Sequence, residues 1–116
     1  CRICFTISHL LLHRVYPWRA DWGIVEGDLS IGVDFEMQMD QTKLPDPSHF
    51  LLTDDGDPLV ITGIAWNNAF TIRLTVDTYP AVTGPLNLAY PAHQGNFFSL
   101  AGDPVGIFHL DNIQED

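Results

Sequence analysis

Residues 29–40 read LSIGVDFEMQMD, and no other stretch restricts the possible folds as tightly. Leu29, Ile31, Val33, Phe35, Met37 and Met39 occupy every second position, with Ser30, Gly32, Asp34, Glu36, Gln38 and Asp40 between them. Successive residues of an extended chain point to opposite faces, so the pattern predicts a half-buried β-strand twelve residues long. A helix would need its apolar residues at intervals of three and four. A slip of one residue would turn all six apolar side chains to water, so the remaining strands must register against this one.

The chain that follows carries the same signature. Pro45 and Pro47 mark a connection at a sheet edge, and residues 49–53 read as a short strand. Asp55-Gly56, within residues 54–58, supplies the positive φ that a tight hairpin demands. Residues 59–66 read as a strand with Val60, Thr62, Ile64 and Trp66 on one side, and Asn67-Asn68 turns the chain. Phe70, Ile72, Leu74 and Val76 then alternate with Thr71, Arg73, Thr75 and Asp77. Residues 86–90 read as a strand, 97–100 as a short apolar segment and 105–110 as the last strand, with turns at 79–85 and 101–104. Six or seven strands about ten residues apart, with turn chemistry between them, are the pattern of an all-β antiparallel sandwich or barrel. A chain of 116 residues suits one such core and is too short for two.

Charge divides the molecule at its head. Residues 1–20 hold Arg2, Arg14 and Arg19 and no acid, whereas residues 21–116 set Lys43 and Arg73 against all fifteen acids. An acidic body repels phosphate backbones, which argues against nucleic acid as its partner. No apolar run approaches the roughly 18 residues that a spanning helix needs, so no membrane role is expected. Residues 1–27 read as an arm appended to a domain covering 28–116. In the arm Ile3, Phe5 and Ile7 alternate as in a strand, while Ile3, Ile7, Leu10, Leu11 and Leu12 would equally serve one face of a short helix. With Val15, Trp18 and Trp22 these side chains form more apolar surface than a monomer leaves in water, so the arm must bury against its own sheet or against a neighbour. The residues expected at an interface are Ile3, Phe5, Ile7, Arg14, Trp18, Arg19 and Trp22.

Segments VDFEMQMD, DPSHFLL, DPLVITGIAWNNAFTIRLTV, GPLNLAYPA and SLAGDPVGIF follow one another in an order that resembles bacterial and phage Ig-like domains of surface layers, adhesins and virion proteins. The resemblance covers about residues 29–110. It departs from the family pattern at Asp103, where Asn is commoner, and residues 1–27 have no counterpart. It implies an Ig-like antiparallel β-sandwich of about seven strands. Its functional implication is a non-enzymatic module such as a phage capsid decoration or fibre-type protein, joined to protein subunits at a virion surface. A secreted or cell-surface adhesion or carbohydrate-binding module is the alternative.

Other motifs bear on chemistry. Cys1, Cys4, His9 and His13 have a spacing close to a zinc knuckle, but bulky apolar residues lie between them and the usual fourth Cys is absent, so an apolar arm with incidental thiols is preferred. Cys1 in first position also suits a lipidated residue, although the polar tether that normally follows is missing. Asp54, Asp55 and Asp57 crowd one loop and would suit calcium, yet their spacing also fits a solvated hairpin tip. No G-x-S-x-G, zinc-protease or phosphate-loop motif is present. Ser8, Ser30, Ser48 and Ser99 with His9, His13, His49, His93 and His109 are what any chain of this composition would hold, so neither an enzyme nor a cofactor is expected. Trp18, Trp22, Trp66 and Tyr90 raise carbohydrate binding; Trp66 fits an inward strand position, and Trp18 and Trp22 are the pair free to form a platform for a sugar or a protein.

Overall fold

The computed structural model describes residues 13–93 and 95–116. Its strands are β1 (Arg19–Val25), β2 (Asp28–Asp34), β3 (Leu51–Asp54), β4 (Asp57–Leu59), β5 (Gly63–Trp66), β6 (Thr71–Val76), β7 (Leu86–Tyr90) and β8 (Phe108–Glu115). A 3-10 turn at Pro47–His49 precedes β3. The protein is all-β, as the alternation predicts. The strands form one sheet in the order β4-β3-β7-β8-β1-β2-β6-β5, curled into a half-barrel. Among the described residues no helix is long and apolar enough to cross a membrane.

The purely antiparallel expectation is corrected. β1 runs parallel to β8, with Asp21 opposite Gln114 and Trp22 opposite Glu115. Val15 likewise pairs parallel with Val105. The boundary expected at residue 27 falls inside a tight turn between β1 and β2, where Glu26 (φ 53°) and Gly27 (φ 87°) both take the left-handed conformation of a two-residue hairpin. Seven register pairs, from Arg19–Asp34 to Val25–Asp28, bind β1 to β2. Of the two destinations open to the arm, its own sheet is the one taken by residues 19–25, because β2 would otherwise have an unpaired edge inside the sheet.

The twelve-residue strand is shorter than its pattern. β2 ends at Asp34, and residues 35–40 run between two segments: the Phe35 and Met39 N–H groups donate to the Phe70 and Ala69 carbonyls at 2.8 and 2.7 Å, while Met39 bridges Ser99 and the Asp40 N–H donates to the Phe98 carbonyl at 3.0 Å. Alternation nevertheless survives the bend, with Phe35 and Met39 buried, Met37 half-buried, and Glu36 and Gln38 exposed. Within β2 the expected polar face is not open. Ser30 and Gly32 are buried, because Arg73 of β6 lies across them. Gly32 makes room for it: a Cβ there would stand 3.2 Å from both Arg73 Nη2 and Asp21 Oδ1.

The predicted strand 59–66 is two elements. β4 and β5 are the two ends of the sheet, and only residues 60–62 join them. Four extended steps reach about 14 Å, so the two edges approach one another at this corner and the curl nearly closes. Val60, expected on the inner side, is 76% exposed, while Ile61 is buried in its place. At the other end of the chain β8 starts later and runs further than 105–110. Between Leu110, opposite Leu88, and Ile113, opposite Leu86, it carries an extra residue relative to β7. Asn112 at φ 51° absorbs this bulge, and its N–H donates to Asn87 Oδ1 at 2.8 Å. The bulge resets the alternation, so Phe108 and Ile113 are both buried despite their odd spacing, and it bends β8 so that one strand pairs with β7 and then with β1.

One core fills the curl. Leu29, Ile31, Val33, Ile72 and Leu74 meet Leu52, Leu86, Leu88 and Tyr90 across it. Ile31→Ala is expected to cost about 2–5 kcal/mol in urea unfolding, as a cavity among fully buried neighbours does. Val60→Ala should stay within about 0.5 kcal/mol of the parent. A large loss at Val60 would restore the strand predicted over 59–66.

Candidate functional site

The described chain begins on the rim of the half-barrel. The Val15 N–H donates to the Pro104 carbonyl and the Gly106 N–H to the Val15 carbonyl, each at 3.0 Å, and the Trp18 N–H donates to the Asp34 carbonyl at 2.9 Å. The Val15 bonds lay the chain along the segment 104–106, and the Trp18 bond ties it to the end of β2. Val15 therefore points into the core, while Tyr16 and Trp18 are 52% and 57% exposed. The Tyr16 ring lies against Gly106, where a Cβ would stand 2.5 Å from it. The adjoining segment leaves Leu100 and Ile107 61% and 60% exposed. Tyr16 and Trp18 on the incoming segment and Leu100 and Ile107 on the segment 97–107 are thus four large apolar side chains left exposed.

On the other side of Val15 a groove of about 490 Å³ is lined by His13, Val15, Met37, Leu100, Ala101 and Asp103. At its polar margin His13 Nε2 lies 3.6 Å from Asp103 Oδ2. Nothing local in the sequence announces this groove, because its walls come from residues 13–15, 37–38 and 99–103 and meet only when the sheet curls.

The interface residues expected from sequence divide three ways. Ile3, Phe5 and Ile7 lie outside the described residues, as do Cys1, Cys4, Ser8 and His9. Arg14 and Trp18 lie on the rim. Trp22 packs half-buried against the core as part of β1, so it forms no platform with Trp18. Arg19 is engaged within the chain: Nη2 is 2.6 Å from Asp21 Oδ2, Nε is 3.4 Å from Asp34 Oδ2, and the guanidinium stacks 5.5 Å from the centre of the Trp18 ring. A partner at this rim meets the indole edge and apolar side chains more than a free cation.

The outer face of β1, β2 and β6 carries Arg19, Asp21, Asp34, Ser30 and Arg73. Arg73 Nη1 donates to Ser30 Oγ at 3.1 Å, and Thr71 Oγ1 to Asp34 Oδ1 at 2.7 Å. Burial pushes the Asp21 carboxyl above its ordinary 3.8, with Asp116 and Asp34 adding repulsion against the pull of Arg19 and Arg73.

The acidic loop is not a single cluster. Asp54 ends β3 with only 2% exposure, while Asp55 and Asp57 are exposed at the hairpin tip. The Asp54 carboxylate accepts from the Tyr79 hydroxyl, from the Thr83 N–H at 3.0 Å and hydroxyl at 3.2 Å, and from the Gly84 N–H at 2.9 Å. It therefore ties the loop between β6 and β7 to β3, and a calcium ion at Asp55 and Asp57 would lack it. Burial works to raise its pKa, but these donors outweigh burial and hold it below the ordinary 3.8. The same bond pushes the Tyr79 hydroxyl up to about 12. Among the described residues no three His, Cys, Asp or Glu side chains are placed to hold a metal ion.

Two of the candidate side chains make local contacts. Ser99 Oγ accepts from the Asp103 N–H at 3.1 Å, and His93 Nδ1 lies 3.5 Å from the Tyr90 hydroxyl with its ring edge-on to Phe98. His49 closes the 3-10 turn and His109 is exposed on β8. No family model matches the chain, and no curated protein matches it.

Two carboxylates give opposite pH signatures. Asp54 has a depressed pKa, so its stabilisation is present above about 3.9 and is lost as pH falls through the lower folded value. Asp54→Asn should cost about 1–3 kcal/mol at pH 7 and progressively less below pH 4, read from urea midpoints. Asp21 has a raised pKa, so its contribution is favourable below about 3.9 and is lost as pH rises through the higher folded value. Asp21→Asn should raise the melting temperature at pH 7 and leave it unchanged at pH 3. A loss at pH 7 would show that the pairing with Arg19 outweighs burial.

Proposed function

We propose that the chain is a non-enzymatic structural module: an Ig-like domain of a virion surface, of capsid-decoration or fibre type, that joins neighbouring protein subunits through its N-terminal leader and adjoining rim. The Ig-like sandwich reading draws on three features. Two wings, β1-β2-β6-β5 and β4-β3-β7, face a common core; β8 bridges them; and β1 lies parallel to β8. The order of sequence segments that resembles phage and bacterial Ig-like domains supplies the virion setting.

The observation that carries the assembly role is the rim. Tyr16, Trp18, Leu100 and Ile107 expose large apolar surfaces, and the sequence that precedes His13 is itself apolar. Elsewhere the sheet ends guard themselves, β4 with three residues and a proline and β5 with four residues, so edge pairing is short on both sides. Contacts made at the rim would bury aromatic surface with little loss of side-chain freedom, which suits an assembly contact.

The alternative, a secreted or cell-surface carbohydrate-binding module, now rests on the exposed indole of Trp18, since Trp22 packs half-buried against the core. A deletion of residues 1–12 that keeps β1 distinguishes the readings. Under the assembly reading the full chain self-associates in sedimentation velocity at micromolar concentration. The deletion should sediment as a monomer with unchanged far-ultraviolet dichroism, and Trp18→Ala should weaken association. Equal self-association with and without the leader would overturn the proposal, and glycan binding lost on Trp18→Ala would install the alternative.

A further inference from the structure

We infer that β5 is a self-pairing edge: the β5 strands of two copies lie antiparallel about a two-fold axis at Ala65 and continue one sheet into the other. β5 ends the sheet, with β6 on one side and no paired strand on the other among the described residues. The Asn67 N–H donates to the Thr71 carbonyl at 2.9 Å, and the register sets Trp66 opposite Ile72 and Ala65 opposite Arg73. Bonded and unbonded pairs alternate along an antiparallel ladder, so the N–H and C=O groups of Ile64 and Trp66 point away from β6. A two-fold at Ala65 sets Ile64 opposite Trp66 of the second copy, and Trp66 opposite its Ile64. Each pair then exchanges both backbone bonds.

Charge selects a second copy as the occupant. Charged side chains and prolines are what normally keep sheet edges apart. Residues 59–70, which contain β5, hold no charged side chain, although the chain as a whole carries a net charge of -10. β4, the other end of the sheet, has both Asp57 and Pro58. Two acidic molecules therefore meet along β5 without setting carboxylates opposite one another. The ends of the strand are also complementary. Just before β5 the Asp77 N–H donates to Thr62 Oγ1 at 3.1 Å, and at its finish Trp66 Nε1 donates to the Lys43 carbonyl at 2.8 Å. The two-fold turns the Lys43 end of each copy toward the Asp77 end of the other.

The same edge leaves apolar surface to cover. Ile64 and Trp66 are half-buried, and Ile64 borders a groove of about 520 Å³ walled also by Leu44, Pro45, Asp46 and Pro47. A strand added to the edge brings its own Ile64 and Trp66 to this side, as strand addition places alternate side chains beside a sheet. An edge of four residues holds weakly by itself, so the pairing belongs to sub-millimolar concentrations or to copies already joined elsewhere. The inference deepens the assembly reading by naming a second copy as one neighbour, and it is read independently of the leader.

Disulfide trapping in the full chain at sub-millimolar concentration tests it. Across the two-fold the Ala65 Cα atoms stand about 4.5 Å apart, as in any unbonded antiparallel pair, which is within disulfide reach. In a background of Cys1→Ser and Cys4→Ser, Ala65→Cys should form disulfide-linked dimers about tenfold faster than Leu51→Cys, a control 54% exposed on β3. Equal rates overturn the inference. In the unmodified chain, hydrogen exchange at the Ile64 and Trp66 amides should slow as protein concentration rises. Protection that does not change with concentration shows an edge covered within one chain or left open, and overturns it too. Sedimentation with and without residues 1–12 at micromolar concentration reports separately on the leader, so either reading can fail while the other stands.

Discussion

Phe97 sits where the two wings of the curled sheet converge. Its ring meets Phe35 edge-on at 5.6 Å and lies 6.1 Å from Trp66, both on the β2 and β5 side. On the other side it meets Tyr90 edge-on at 5.3 Å and Phe50 at 5.9 Å. Edge-to-face pairs at these separations are favourable beyond the area they bury. A sheet of eight strands need not curl, and what makes this one do so is an apolar inner face on both wings with a common ring to pack against. Hydrogen bonds allow the bend where it occurs. The bulge at Asn112 lets β8 leave β7 for β1, and residues 35–40 leave β2 and reach 98–100.

The rim follows from that closure. With Phe97 and Val105 both buried, the segment between them is pinned at its two ends, and its backbone is held by the bridge of Phe98 to Pro104. Such a short pinned loop cannot turn all its side chains inward. Leu100 faces out at the loop tip, and Ile107 faces out just before β8. The extended segment through Val15 then adds Tyr16 and Trp18 beside them. The outward apolar surface is thus a by-product of how the core is sealed, concentrated where the leader enters. The acidic loop was sorted by the same closure: Asp54 came to face Tyr79, Thr83 and Gly84 and became a clamp, while Asp55 and Asp57 stayed in solvent.

Some features could be read directly from particular residues. Residues 86–90 form β7 as their alternation states, and Asp55-Gly56 makes its hairpin with both residues at positive φ (53° and 85°). Glu26-Gly27 makes the same turn by the same chemistry, yet it was read as the end of an arm because the irregular residues before it hid β1. Val60 misled for a different reason. Its alternation with Thr62, Ile64 and Trp66 is genuine in sequence, but the chain is crossing from one sheet edge to the other there, and a crossing has no inner face. Trp18, Arg14, Trp22 and Arg19 all read as interface candidates in the sequence, and only β1 separates them, packing Trp22 half-buried against the core and setting Arg19 against Asp21 and Asp34.

Sequence alone determined that the chain is built of strands, where most of them lie, which side of β2 faces the core, and that Asp55-Gly56 makes a sharp turn. Each of these is set by a few adjacent residues, through the two-residue alternation of extended backbone and the left-handed tolerance of glycine. Only the tertiary structure decided that β1 joins the sheet, that β8 serves both wings, that Asp54 is a buried clamp and that a groove opens beside Val15. Those outcomes depend on which distant segments become neighbours, and partners tens of residues apart leave no local mark on the chain.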